Sequence, residues 1–233
     1  MIRHNEQFAA LESRERDVVL QLQSGRRIKS DLLLWANGRS GNSDGMNLEA
    51  LGLGGNSRGQ LDVNEHYQTG VAHVYAVGDI AGPPGLASAG YVQGCRAVQH
   101  ILDPAQPPLR LDLVPSGIYT LPEISSVGLT ERELLVRKVP YEVGHTSFKN
   151  LARAQMTDQR IGMLKLLFHT ETLQVLGVHC FGYGAAEIVH IGQTVMASSD
   201  LNNMRYFTNA TFNYPTMAEA YRVAAYNGLN RLT

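Results

Sequence analysis

Val74-Tyr75-Ala76-Val77-Gly78-Asp79 leads through Ile80 into the loop Ala81-Gly82-Pro83-Pro84-Gly85, and then into a long stretch beginning Leu86-Ala87-Ser88-Ala89-Gly90. The order predicts a short apolar strand over residues 73–77, a Gly/Pro-rich loop and a helix over residues 86–102, which is the strand, loop and helix unit of α/β proteins. A Gly-Asp pair closing such a strand puts a carboxylate at the carboxyl edge of a sheet. Gly78 lets a ligand approach the backbone there, and Asp79 can accept hydrogen bonds from sugar-like hydroxyls. The following helix offers first-turn N–H groups near Ala87 and Ser88, together with the positive end of its dipole. On its own, the Gly-Asp pair also describes a turn closed by an Asx cap.

Upstream, residues 17–22 and 28–35 read as two strands around Ser24-Gly25, with Val18, Val19, Leu20 and Leu22 answered by Leu32-Leu33-Leu34-Trp35. Little precedes this hairpin. Because a two-stranded unit is marginal alone, an N-terminal portion is expected to be absent. Residues 38–59 are rich in Gly, Asn and Ser and predict loop, with a short helical candidate at 47–51. Gly52-Leu53-Gly54-Gly55 has neither a strand before it nor a helix after it, so it does not read as a phosphate loop.

Downstream, the three prolines of Asp103-Pro104-Ala105-Gln106-Pro107-Pro108 forbid either regular ladder and predict a linker, with a second domain starting near Leu109. Beyond it, strands are expected at 117–120, 141–148, 163–168 and 175–181, the last two joined by a polar turn. Helices are expected at 130–138, 185–198 and 216–230. The last of these carries Thr216-Met217-Ala218-Glu219, the pattern of a capping box. The fold class expected is therefore an α+β C-terminal domain, an antiparallel sheet with helices, preceded by a partial α/β nucleotide-binding region. Residues 1–37, 38–108 and 109–233 are the three divisions.

Composition narrows the classes of function. A chain of 233 residues with 44% hydrophobic and 18% charged residues and a formal net charge of -1 has no basic footprint for nucleic acid. No stretch reaches the roughly 18–20 apolar residues of a membrane span, and the opening Met1-Ile2-Arg3-His4 is no secretory signal, so a cytoplasmic protein is expected. Cys95 and Cys180 lack the spacing of a redox or metal motif, and both are expected as free, buried thiols. The eight histidines show no ligand spacing. His145, His179 and His190 read as core or surface residues, and no metal site is expected.

Leu34-Trp35-Ala36-Asn37-Gly38-Arg39, Val74-Tyr75-Ala76-Val77-Gly78-Asp79 and Leu86-Ala87-Ser88-Ala89-Gly90 with Gly94 resemble, in order and spacing, the A-x-G-R, Y-A-x-G-D and helix-opening motifs of the pyridine nucleotide-disulfide oxidoreductases, flavoproteins with two dinucleotide-binding domains. Gly117-Ile118-Tyr119-Thr120-Leu121-Pro122-Glu123 resembles the start of that family's interface domain. Asn213-Tyr214-Pro215-Thr216-Met217-Ala218-Glu219 stands where the family carries H-P-T-x-x-E. The resemblance spans nearly the whole chain. It implies FAD as cofactor, NAD and NADP as substrates, and a homodimer formed by the second domain. Gly78 and Asp79 are implied at the ribityl chain, and Leu86, Ala87 and Ser88 at the flavin ring.

Two departures shape the expected chemistry. Disulfide-reducing members of the family use a C-x₄-C pair and a His-Glu base, whereas this chain has no such cysteine pair and carries Tyr214 at the histidine position beside a retained Glu219. A phenol with a reference pKa of about 10 cannot act as the same neutral-pH base. What remains for a flavin without a thiol partner is hydride exchange between two nicotinamides. Glu219 reads equally as the closing residue of a cap. Tyr214 reads as packing or as a hydrogen-bond donor beside the flavin of a partner subunit, and Arg39 as a structural partner of a carboxylate. The second departure is that neither G-x-G-x-x-G loop is present, so the chain alone is expected to be catalytically incomplete. Two alternatives stand beside this reading: an inactive dimerisation module, and an enzyme like dihydrolipoamide dehydrogenase, to which Tyr214 is the obstacle.

Overall fold

The computed structural model describes residues 2–105, 107–108 and 113–232. The expected linker and domain start therefore fall partly outside the described residues, at Gln106 and at residues 109–112.

The N-terminal hairpin is a three-stranded antiparallel sheet. β1 (Phe8–Ser13) pairs with β2 (Val18–Leu22), which pairs with β3 (Arg27–Ser30). The sequence does not announce β1, because its Phe-Ala-Ala-Leu-Glu-Ser lacks alternation and every residue is exposed. Val19 and Leu22 of β2 supply the buried positions. The expected strand over residues 28–35 is also shorter than its apolar run suggests: β3 ends at Ser30, and Leu32 and Leu34 are each 87% exposed. Hydrophobic residues with no strand beside them have no ladder to join.

Residues 31–86 are mostly turns and bends. The helical candidate at 47–51 is a single 3₁₀ turn, Leu48–Leu51, held by αL residues at both ends. The expected strand at 73–77 is not a ladder either. Its backbone groups pair locally with residues 67–69, through one bridge between Gln68 and Tyr75 and the bonds Ala76 N to Tyr67 O and Thr69 N to Val74 O. These local partners satisfy the segment without a sheet. The helix expected next is α1 (Ala87–Leu102), which buries Ala89, Gln93 and Ala97.

The C-terminal part is a five-stranded sheet of order β4-β5-β8-β7-β6, antiparallel throughout. Its strands are β4 (Ser116–Ile118), β5 (Ile124–Gly128), β6 (Tyr141–Ser147), β7 (Gly162–His169) and β8 (Val175–Gly182). β5 lies outside the strands expected from the sequence: Ile-Ser-Ser-Val-Gly carries only two large apolar residues, and Ser125 faces inward by donating to Ser116 O. The helices are α2 (Glu131–Arg137), the short α3 (Ala152–Met156), α4 (Ala185–Ala197), α5 (Met204–Asn209) and α6 (Glu219–Leu229). Leu164, Leu166, Phe168, Val178 and Cys180 face α4, α5 and α6 across a core that includes Met204, Phe207, Tyr221 and Ala224. Tyr221 is fully buried yet satisfied, its hydroxyl donating to Ile188 O and accepting from Gly192 N.

Capping differs from the sequence expectation at one helix. α6 begins at Glu219 and not at residue 216, because Thr216 donates its hydroxyl to Asn213 O and Glu219 turns toward Arg222, so no capping box forms there. A true capping box instead opens α2, where Thr130 and Glu133 exchange backbone and side-chain bonds.

Candidate functional site

The expected site residues meet where the loop after residue 77 turns into α1. Gly78 and Asp79 open a 3₁₀ turn, Gly78–Ala81. Gly78 has φ 76, a left-handed conformation costly for any residue with a Cβ, and its outer side is open: a Cβ there would meet nothing within 4 Å. Its N–H donates to Oε1 of Gln93 at 2.7 Å. Gln93 lies on α1 with 2% exposure, so the helix fixes the turn through one buried amide. Sequence reasoning misses Gln93, although a polar residue on the stripe Ala89, Gln93, Ala97 is the available signal.

Asp79 is pinned from outside. Arg39 Nε lies 2.6 Å from Asp79 Oδ2, which gives Arg39 the structural carboxylate partner expected for it. The Asp79 side chain keeps 34% exposure. Gly85, at φ 61, brings the loop back over the other carboxylate oxygen, and a Cβ on it would sit 3.7 Å from Asp79 Oδ1. α1 then starts with Leu86 as its extended N-cap and no side-chain cap, and Ala87 and Ser88 are exposed. The first-turn N–H groups therefore keep no side-chain acceptor, as an anion-accepting helix start requires. An open cleft of about 1390 Å³ runs from Ser88, Ala89 and Val92 to Leu129, Glu133, Gln193 and Val175 of the C-terminal part.

Tyr214 and Glu219 lie elsewhere. Tyr214 is 72% exposed in the loop between α5 and α6. Arg222 organises that loop: its Nη2 donates to Ala210 O at 2.7 Å, its guanidinium lies 5.8 Å from the Phe212 ring centroid, and its Nε is 3.5 Å from Glu219 Oε1. The Glu219 carboxylate thus faces a guanidinium. Among the described residues, no hydrogen bond or ion pair joins Tyr214 or Glu219 to Gly78, Asp79 or the start of α1.

The cysteines offer no dithiol. Cys180 is buried in β8, where burial pushes its thiol up to about 12, so it holds its proton at neutral pH. Cys95 is exposed on α1 and so departs from the buried position expected for it, because the face of α1 that carries it is uncovered. Among the described residues no group of three or more His, Cys, Asp or Glu could hold a metal ion, and no helix is long and apolar enough to cross a membrane.

Comparison with known proteins gives this arrangement its family. Residues 1–94 match the family model "Pyridine nucleotide-disulphide oxidoreductase" and residues 114–225 match that family's dimerisation domain. The chain belongs to the pyridine nucleotide-disulphide oxidoreductase family. Curated relatives include the soluble pyridine nucleotide transhydrogenases of Ectopseudomonas mendocina (strain ymp) and Azotobacter vinelandii, each 58% identical over all 233 residues. The chain spans about half the length of these relatives, 50% in each case. Among solved structures, LpdA of Mycobacterium tuberculosis superposes with TM-score 0.80 at 25% identity, covering 98% of this chain and 49% of that one. The Cu(II) complex of the HOCl-induced flavoprotein disulfide reductase RclA of Escherichia coli superposes with TM-score 0.83 at 21% identity, covering 95% and 50%, and supports the fold alone.

Proposed function

We propose that this chain forms the flavin-edge and dimerising part of an FAD-dependent oxidoreductase in which hydride passes between NADPH and NAD. The observation that carries the reading is the 58% identity, unbroken along the chain, to soluble pyridine nucleotide transhydrogenases. Tyr214 at the position of the disulfide-reductase histidine, and the lack of a dithiol, agree with it.

The residues present fit FAD. Gly78, with open space on its outer side, admits a ligand to the backbone, and Asp79, braced by Arg39 and one third exposed, accepts from ribityl hydroxyls. Leu86, Ala87 and Ser88, at a helix start without a side-chain cap, present N–H groups to the electron-rich edge of the flavin ring. FAD held there would supply two-electron redox chemistry suited to hydride exchange between nicotinamides. Tyr214 contributes packing or a hydrogen bond at a partner's flavin, and Glu219, engaged by Arg222, has a structural part. We place the active form as a cytoplasmic homodimer, with the boundaries 1–37, 38–108 and 109–233 separating nicotinamide-domain, flavin-domain and interface portions.

A second reading, a dimerising module without activity, is favoured by the complete core of residues 113–232 against the open surroundings of α1. The visible absorption spectrum of the purified chain, before and after FAD is added and the excess removed, decides between them. A retained flavin band in the wild-type chain that is lost in Asp79→Ala supports the first reading. A folded, colourless dimer supports the second.

A further inference from the structure

α1 meets the Gly78 turn at two places on one helix face. At Gly90 its backbone passes so near that a Cβ there would sit 3.5 Å from Gly78 Cα. Three residues on, Gln93 accepts from Gly78 N–H at 2.7 Å. Among the described residues this is the only hydrogen bond between α1 and residues 78–81; the turn's other backbone bonds run from Leu61 N to Ile80 O and from Gly82 N to Asp79 O. Gln93 lies between Ala89 and Ala97 on the buried face of the helix. A buried amide costs stability unless it is bonded, and this bond goes to the turn that carries Asp79 rather than to the amide's own helix.

A glycine at φ 76 needs such a bond, because glycine moves among backbone conformations that other residues cannot share, and each would aim Asp79 differently. The neutral amide fixes one of them without adding a charge on the helix side of the Arg39–Asp79 pair. α1 also carries Ala87 and Ser88 at its start, so the bond ties Asp79 and the helix N–H groups to one rigid element. The far end of α1 holds a different part of the chain. There the Tyr75 hydroxyl is hydrogen-bonded with His100 Nδ1 at 2.9 Å, and His66 stacks on His100 with ring centroids 4.1 Å apart. That contact steadies the approach to the turn and leaves the Gly78 bond to Gln93.

We propose that Gln93 is a positioning residue for the flavin site: by holding the Gly78 peptide against α1 it sets the direction in which Asp79 meets a ribityl chain. The inference rests on the FAD reading and adds to it the residue that preorganises the site.

Quenching of FAD fluorescence on titration with the 233-residue chain tests it. The wild-type chain binds FAD. Gln93→Leu, folded by circular dichroism, binds about tenfold more weakly, the size of one lost hydrogen bond. Gln93→Glu recovers most of that loss, because its carboxyl, ionised or protonated, still offers Gly78 N–H an acceptor. His100→Ala, which loosens residues 64–76 without touching the Gly78 bond, stays near the wild type. A wild-type chain that binds no FAD overturns the flavin reading and this inference with it. Wild-type affinity in Gln93→Leu overturns the inference alone, as does equal weakening by Leu and Glu at residue 93 or by His100→Ala. If Gln93→Leu does not fold, Gln93→Met, an unbranched apolar side chain, takes its place with the same outcomes.

Discussion

Residues 113–232 and residues 2–105 solve the problem of burial differently. The first part closes its own core, with Phe148, Phe168, Phe207 and Tyr221 all at 0% exposure. The second leaves Leu32, Leu34, Tyr91, Ile101 and Leu102 in solvent and buries little beyond Val19, Leu22, Leu61, Tyr67 and a few alanines. The difference teaches how each part of this chain is held. The candidate cofactor residues stand on the sparsely packed part, held by specific polar contacts: Gln93 to Gly78 and Arg39 to Asp79. The interface part derives its shape from apolar packing, which is non-directional and tolerates no gaps.

The largest effect that can break the comparison comes from deleting matched apolar side chains. Phe207→Ala should destabilise the chain by about 3–5 kcal/mol in denaturant unfolding, whereas Leu34→Ala, at a site with no covered neighbours, should stay within about 0.5 kcal/mol. Equal losses would mean that the N-terminal part is packed after all. Tyr221→Phe comes next: it removes a buried hydroxyl that bonds Ile188 O and Gly192 N of α4, which as i and i+4 helix groups can pair with each other, and should cost about 0.5–1.5 kcal/mol of thermal or chemical stability.

Effects of comparable or smaller size sharpen the polar side of the contrast. Gly78→Ala forces a Cβ into a left-handed conformation and should cost roughly 1–2 kcal/mol, read as earlier unfolding of the α1 region with the C-terminal transition unmoved. The smallest is a pH effect. His179 is partly buried, its Nε2 hydrogen-bonded with Leu129 O, and desolvation lowers its pKa from 6.5. Its folded form therefore binds a proton less readily than the unfolded chain. The contribution is fully present above about pH 6.5 and is lost as pH falls toward the lowered folded value. A stability profile that falls on mild acidification in the wild type, and less steeply in His179→Gln, is the expected result.

The legible parts of the fold were those whose signal is local. β7 and β8 stand within a residue or two of expectation because each is a long apolar run bounded by turns, and α1 and α4 because their apolar spacing is helical. β1 and β5 were hidden because their partners, not their composition, make them strands. Residues 73–77 misled in the opposite sense: an apolar run ending in Gly-Asp reads as a strand, yet local bonds to residues 67–69 satisfy it. At the candidate site the residue types at Gly78 and Asp79 were readable, while the bracing was not. Nothing in the spacing of Arg39 and Asp79, or of Gln93 and Gly78, announces their contact, because long-range pairs are set by the chain's path.

Amide hydrogen exchange of the chain with and without FAD tests the account most directly. The prediction is strong protection across β7, β8 and α4 in both conditions, weak protection over residues 76–92 without FAD, and a marked slowing in that segment alone when FAD is present, absent in Asp79→Ala. Exchange over residues 76–92 that FAD leaves unchanged, or slowing confined to the C-terminal sheet, would contradict it.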